Sequence, residues 1–153
     1  ILKKNSISYT NLSVKKKLYT YIIFNRATRS PIYENRAWLI KKKLNVANMK
    51  KGIKFFLGTH DFTSMRSTSC TANCPIRTIT KAEIKNKSDK VIIIFESKSF
   101  LQKQVRSMVG CLKYVGENKW KPEKIKSVIK LKKRELCAPP APPEGLYLEK
   151  VIY

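Results

Sequence analysis

The run Val91-Ile92-Ile93-Ile94-Phe95, followed by Phe100, Leu101, Val105, Met108, Val109, Leu112 and Val115 at helical spacing, decides the fold class. Five consecutive β-branched and aromatic residues predict a strand over 90–97. The run is too short to cross a bilayer, and its unbroken apolar character predicts cover on both faces. The 3.6-residue spacing that follows predicts a helix from Phe100 to Val115, closed by Gly116. Working outward, a strand over 76–85 precedes the run, joined to it by the hairpin loop Asn86-Lys87-Ser88-Asp89. Further back, Asn45 is a helix N-cap ahead of Val46, Met49, Ile53, Phe56 and Leu57, with Gly58 as the stop. Residues 59–75 read as loop, with a short helical turn opening at Asp61. Leu18 to Phe24 is rich in aromatic and β-branched residues and predicts a strand, ended by Arg29-Ser30-Pro31. Downstream, Pro122 suits the first turn of a helix over 123–132. Cys137 to Gly145 is too Pro-rich for helix or central strand, and Leu146 to Tyr153 predicts a last strand. Strand, helix, hairpin, helix, helix, strand gives an α+β class: a mostly antiparallel sheet with helices packed on one face.

Composition bounds the rest. The chain has 153 residues, enough for one core, and 42% of them are hydrophobic, which excludes a disordered basic tail. No apolar N-terminal segment resembles a signal peptide, so the expected location is cytoplasmic. Net charge is +23, from 33 basic and 10 acidic side chains. Such an imbalance repels itself unless an anionic partner is near, and nucleic acid is the usual one. Of the 33 basic residues seven are Arg (26, 29, 36, 66, 77, 106 and 134), leaving 26 Lys. Lys, Ile and Asn bias from an AT-rich genome is the competing explanation. Clusters at Lys3-Lys4, Lys15-Lys16-Lys17, Lys41-Lys42-Lys43 and Lys50-Lys51 suit either phosphate binding or a solvated face. Of the four cysteines, Cys70 and Cys74 are close in sequence, but their spacing is wider than a Cys-x-x-Cys knuckle, and His60 is the single histidine. Idle or buried thiols explain them better than zinc does.

Three stretches, in order, carry a resemblance. They are Leu57-Gly58-Thr59-His60-Asp61-Phe62-Thr63-Ser64, leading to Cys70 and Pro75-Ile76-Arg77-Thr78; Ser99 through Gly110, containing Gln104-Val105-Arg106; and Ala141-Pro142-Pro143-Glu144-Gly145-Leu146-Tyr147-Leu148. With Tyr19-Thr20-Tyr21 and Asn25, they make the chain similar to the C-terminal half of the tRNA pseudouridine synthase A family, from about residue 8 onward. The resemblance implies two ferredoxin-like halves sharing one sheet, homodimers, and no metal or organic cofactor. The implied chemistry is isomerisation of uridine to pseudouridine in the tRNA anticodon stem-loop by an attacking aspartate. That aspartate belongs to an Arg-Thr-Asp-Ala-Gly motif of the N-terminal half. Here Arg77-Thr78 is followed by Ile79, and the chain holds only Asp61 and Asp89. Asp61 suits a cap and Asp89 a hairpin. The chain begins at Ile1, so residues 1–16 are expected to be a basic segment continuing from a missing half, and 17–153 the C-terminal α+β domain.

The resemblance assigns three site residues. Arg106 matches the arginine that pairs with the catalytic aspartate; by periodicity alone the better reading is an exposed arginine on the helix's polar face, and the resemblance reverses that. Tyr19 matches the tyrosine that contacts the target base, against the plainer role of a strand tyrosine packing on the sheet, and Tyr21 shares its facing parity. Leu146 matches a leucine that packs on the base, against ordinary core packing. The Pro-x-x-Pro frames of 138–143 belong to the family's loop rather than to a polyproline ligand. Two places depart from the family pattern: Thr10-Asn11 stands where Ala-Arg is usual, and Gln102-Lys103-Gln104 where histidine is favoured. The functional expectations are therefore an enzyme part that acts on tRNA once its aspartate is supplied, or a non-catalytic RNA-binding remnant. A small basic zinc or ribosome-associated protein is the weaker third. A half sheet cut from its partner is expected to self-associate.

Overall fold

A computed structural model describes residues 14–29 and 31–153. Lys3, Lys4, Thr10-Asn11 and Ser30 lie outside the described residues. The elements are β1 (Lys16–Asn25), β2 (Trp38–Ile40), α1 (Val46–Ile53), β3 (Gly58–Asp61), β4 (Ile76–Lys87), β5 (Lys90–Ser97), α2 (Gln104–Gly116), α3 (Lys124–Leu131) and β6 (Leu146–Ile152). Sheet order is β2-β1-β5-β4-β3, with β6 antiparallel to β1 along its first half. β1, α1, the β4–β5 hairpin, α2 and β6 give the sheet order β6-β1-β5-β4, a ferredoxin-like topology. It is extended by β3 at one edge, while β2 pairs parallel to Ile23–Asn25 of β1, past the stretch of β1 that β6 covers.

The register sets the core. Tyr19 faces Phe95, Tyr21 faces Ile93 and Ile23 faces Val91, while Phe95 faces Ala82 and Ile93 faces Ile84. Alternation puts all of these on one side of the sheet. There they join Met49, Ile53 and Phe56, the apolar stripe of α2, and Ile125, Val128 and Ile129 of α3 in one buried cluster. Phe56 meets Phe95 edge-on at 5.8 Å.

Several local expectations need correction. The alternation of β5 buries Val91, Ile93, Phe95 and Ser97 but leaves Ile92 and Ile94 partly exposed, so the apolar run does not have both faces covered alike. The helix begun at Asn45, whose Oδ1 accepts from Asn48 N at 3.1 Å, ends at Ile53 and tightens into a 3₁₀ turn over Lys54–Phe56. Gly58, at φ 94°, opens β3 instead of closing the helix. Part of the expected loop 59–75 is therefore strand, pairing Gly58–Asp61 with Ile76–Ile79, and a 3₁₀ turn follows at Thr63–Met65. The β4–β5 hairpin is tighter than expected: Lys87 still pairs with Lys90, leaving Ser88, at φ 54°, and Asp89 as the turn. β2 carried no alternating pattern in its three residues and was not foreseen. α2 starts at Gln104, not Phe100, and includes Gly116. Val14 is buried and Lys15 N donates to Ile152 O at 2.8 Å, so the sheet already claims the end of the expected basic segment.

Residues 137–145 run as a strap over the outer side of α2. A Cβ at Gly110 would lie 2.1 Å from Pro139 O, so only glycine lets the strap come this close. Ala141 N then donates to Arg106 O at 2.9 Å. Gly110→Ala must push the strap backbone away. The expected cost is about 1–3 kcal/mol, read as a lower urea midpoint with an unchanged slope.

Candidate active site

β1 and β6 meet the N-terminal end of α2 at an open cavity of about 400 Å³. Its lining includes Lys17, Tyr19, Phe100, Gln102, Lys103, Arg106 and Leu146. The three residues that the sequence assigned to a site, Tyr19, Arg106 and Leu146, thus share one cavity. Each arrives by a different route. Tyr19 stands on β1 between Phe95 and Leu148, its half-buried ring held edge-on to Phe100 at 5.2 Å. Leu146 opens β6 opposite Tyr21. Arg106 lies in the first turn of α2, half-buried, with Nε donating to Ala141 O at 2.7 Å.

That last contact fixes the guanidinium. One edge of the group is held by the strap carbonyl, and Arg106 forms no ion pair among the described residues. No carboxylate lines the cavity either. Asp61 is excluded from the cavity by topology. It ends β3, three strands from β1, or roughly 14 Å at sheet spacing. Its carboxylate accepts from Thr63 N and Oγ1, at 2.9 and 2.5 Å, and lies 3.9 Å from Lys132 Nζ; the expected cap is corrected, because Asp61 ends β3 and Phe62 holds the N-cap position of the turn that follows. Burial pushes the Asp61 carboxyl up, but the Thr63 hydrogen bonds and Lys132 outweigh it and hold it below the usual range. Asp89 occupies the hairpin turn, where its carbonyl accepts from Asn25 N at 2.7 Å.

Tyr21, two residues beyond Tyr19, is not a cavity residue. It is fully buried, and its hydroxyl donates to Pro142 O at 2.5 Å. A Cβ at Gly145 would meet Ile22 O at 2.6 Å and the Tyr21 ring at 2.8 Å, so the strap passes flat against the tyrosine before Leu146. This supporting role was not evident in the sequence, since it depends on a carbonyl 121 residues away. Gln102 and Lys103 line the cavity at the place where the family pattern favours histidine, and Lys103 adopts φ 61°. Gln104 also lines the cavity but is buried, its Oε1 accepting from Leu101 N at 2.8 Å to close the start of α2. His60 Nε2 pairs with Leu57 O at 2.7 Å. Among the described residues no group of three or more His, Cys, Asp or Glu side chains is placed to hold a metal ion.

A sequence profile of the family described as tRNA pseudouridine synthase matches residues 53–153, which include α2, Arg106, the strap and Leu146. The chain belongs to the tRNA pseudouridine synthase family. It is 54% identical over 153 residues to the tRNA pseudouridine synthase A of Pelagibacter ubique (strain HTCC1062), covering 99% of this chain and 62% of that protein. The same-named protein of Orientia tsutsugamushi (strain Ikeda) is 42% identical over 146 residues, covering 95% and 52%. That of Acidiphilium cryptum (strain JF-5) is 39% identical over 137 residues, covering 90% and 54%. The chain therefore spans about half to three fifths of the length of these relatives.

Burial, then the nearby Glu144 carboxylate, raise the Tyr21 phenol far above its ordinary value of 10.0, with Arg106 opposing them. A raised folded-state value means that the neutral phenol is the stabilising form. That stability is complete below pH 10 and is lost as pH climbs from there toward the folded value, at up to about 1.4 kcal/mol per pH unit. Tyr21→Phe is expected to cost about 1 kcal/mol at pH 8 through the lost Pro142 bond. Its stability should also fall less steeply with pH than the parent's above pH 10, read from urea midpoints at matched ionic strength.

Proposed function

We propose that this chain is the C-terminal part of a tRNA pseudouridine synthase that isomerises uridine to pseudouridine in the anticodon stem-loop. The observation that carries the proposal is a held guanidinium beside Tyr19 and Leu146 in a cavity without a carboxylate. A bidentate guanidinium keeps a carboxylate ionised and aimed. In this role Arg106 pairs with an aspartate supplied by an N-terminal half, and the aspartate is the attacking group. Tyr19 offers an aromatic face to a base that has left its stack, and Leu146 packs against it. Lys17 and Lys103 at the rim, with the wider excess of lysine, engage phosphates. Residues 17–153 are then the C-terminal domain, and the basic segment before it leads from the missing half. The chemistry calls on no metal or organic cofactor.

The outer edge of β6 supports the same proposal. Among the described residues β6 pairs only with β1, and Tyr147 and Leu148 are exposed on it, with Tyr153 exposed just after it. A strand of the other half added there continues the sheet and brings its loops to the cavity. Homodimer formation by the joined halves is part of the proposal. No helix among the described residues is long and apolar enough to cross a membrane.

Mixing the 153-residue chain with a separately supplied N-terminal half should convert uridine in tRNA, whereas the chain alone should not. In the joined enzyme Arg106→Ala should lower kcat about a hundredfold or more with little change in KM, because the aspartate loses its aim. Binding of tRNA that persists while conversion fails in both mixtures would favour a non-catalytic RNA-binding remnant, which the same basic rim would serve.

Alone, the free edge of β6 should cause concentration-dependent self-association in sedimentation. A charged residue at Leu148 should reduce it. A monodisperse monomer at high concentration would contradict the exposed-edge account.

A further inference from the structure

Two thiols outside the candidate active site lie side by side. Cys111 Sγ, on α2, and Cys137 Sγ, at the head of the strap, are 3.5 Å apart. Cys111 is buried, while Cys137 is half-buried. The other two cysteines, Cys70 and Cys74, make no thiol–thiol contact among the described residues. The pair is chemically unequal. The two thiols share a hydrogen bond and Arg134 lies beside Cys137, which together hold Cys137 below the usual thiol range against the effect of burial. The same contact, then burial, push Cys111 up. One sulfur is thus set up as a half-buried nucleophile and the other as a buried reserve beside it.

We infer that Cys111 and Cys137 are a redox-active dithiol that a hydroperoxide closes to a disulfide, stapling the strap to α2 beside Arg106. In the first step the Cys137 thiolate attacks one peroxide oxygen. The O–O bond breaks, the departing oxygen takes a proton, and Cys137 becomes a sulfenic acid. In the second step Cys111 sulfur attacks Cys137 sulfur, the S–O bond breaks, and hydroxide leaves with the Cys111 proton as water. Two thiols are oxidised by two electrons and one peroxide is reduced. The sulfurs need to approach by about 1.5 Å to reach bonding distance. Cys137 Sγ also lies 4.0 Å from Ser107 O of α2, and Ala141 N is tied to Arg106 O, so the bond would form between two segments that already touch. It closes a loop from 111 to 137 that contains all of α3. It also pins the strap four residues before Ala141, the carbonyl that holds Arg106.

The test treats the reduced 153-residue chain with stoichiometric hydrogen peroxide and reads intact mass, a non-reducing peptide map and the melting midpoint. The expected result is loss of two hydrogens, a single crosslink joining the Cys111 and Cys137 peptides, and a midpoint raised by roughly 5–10 °C, all reversed by dithiothreitol. A Cys70→Ser/Cys74→Ser chain should behave the same way, and Cys137→Ser should not crosslink. If Cys137→Ser fails to fold, the peptide map of the unaltered chain still decides. Four intact thiols, a Cys70–Cys74 crosslink, sulfinic acid on Cys137 without a crosslink, or a crosslink that leaves the midpoint unmoved would each overturn the inference.

Discussion

The site depends on a reciprocal pair of hydrogen bonds between Arg106 and Ala141. The Ala141 amide donates to the Arg106 carbonyl, and the Arg106 guanidinium donates back to the Ala141 carbonyl. A strap without regular structure has no ladder to hold it, so its backbone groups need specific partners. Here they come from the first turn of a helix and from the Tyr21 hydroxyl. The same bonds orient the arginine, and β6 then begins with Leu146 at the cavity wall. Position of the strap and aim of the guanidinium are one constraint.

That constraint explains why two glycines sit where they do. Gly110 lets the strap lie against α2, and Gly145 lets it lie against Tyr21 and the β1 backbone. Between them, Pro139, Pro140, Pro142 and Pro143 lower the entropy of the free strap and remove amides that would otherwise need partners. A Pro-rich stretch that could be mistaken for a linker is in fact packed. Ala138 and Ala141 are both buried.

The long elements were legible from sequence because their periodicity is set by burial on one face. α2 and the β4–β5 hairpin show this best, and the α+β class followed from their order. β2 and β3 were not legible. Trp38–Ile40 and Gly58–Asp61 are three and four residues long, and edge pairing, not side-chain pattern, makes them strands. Gly58 misled because a positive φ serves a strand entrance as readily as a helix end. At the site, the convergence of Tyr19, Arg106 and Leu146 came from motif likeness, since nothing in their spacing puts 19, 106 and 146 in one place. Tyr21 shows the limit of parity: it shares a sheet face with Tyr19, yet the strap covers one and leaves the other at the cavity.

A half-buried arginine without a carboxylate partner among the described residues costs solvation energy. Arg106 tolerates it because one edge of the guanidinium is satisfied by Ala141 O and the cavity still opens to water. The remaining donors are set in a fixed fork at a cavity whose other named side chains are aromatic, aliphatic, amide or cationic. With Lys17 and Lys103 at the rim, the local field is positive. Any carboxylate brought there would be stabilised in its ionised form. The cavity is therefore electrostatically complementary to a group that the described residues, with Asp61 bound to Thr63 three strands away and Asp89 in a hairpin, do not place within it.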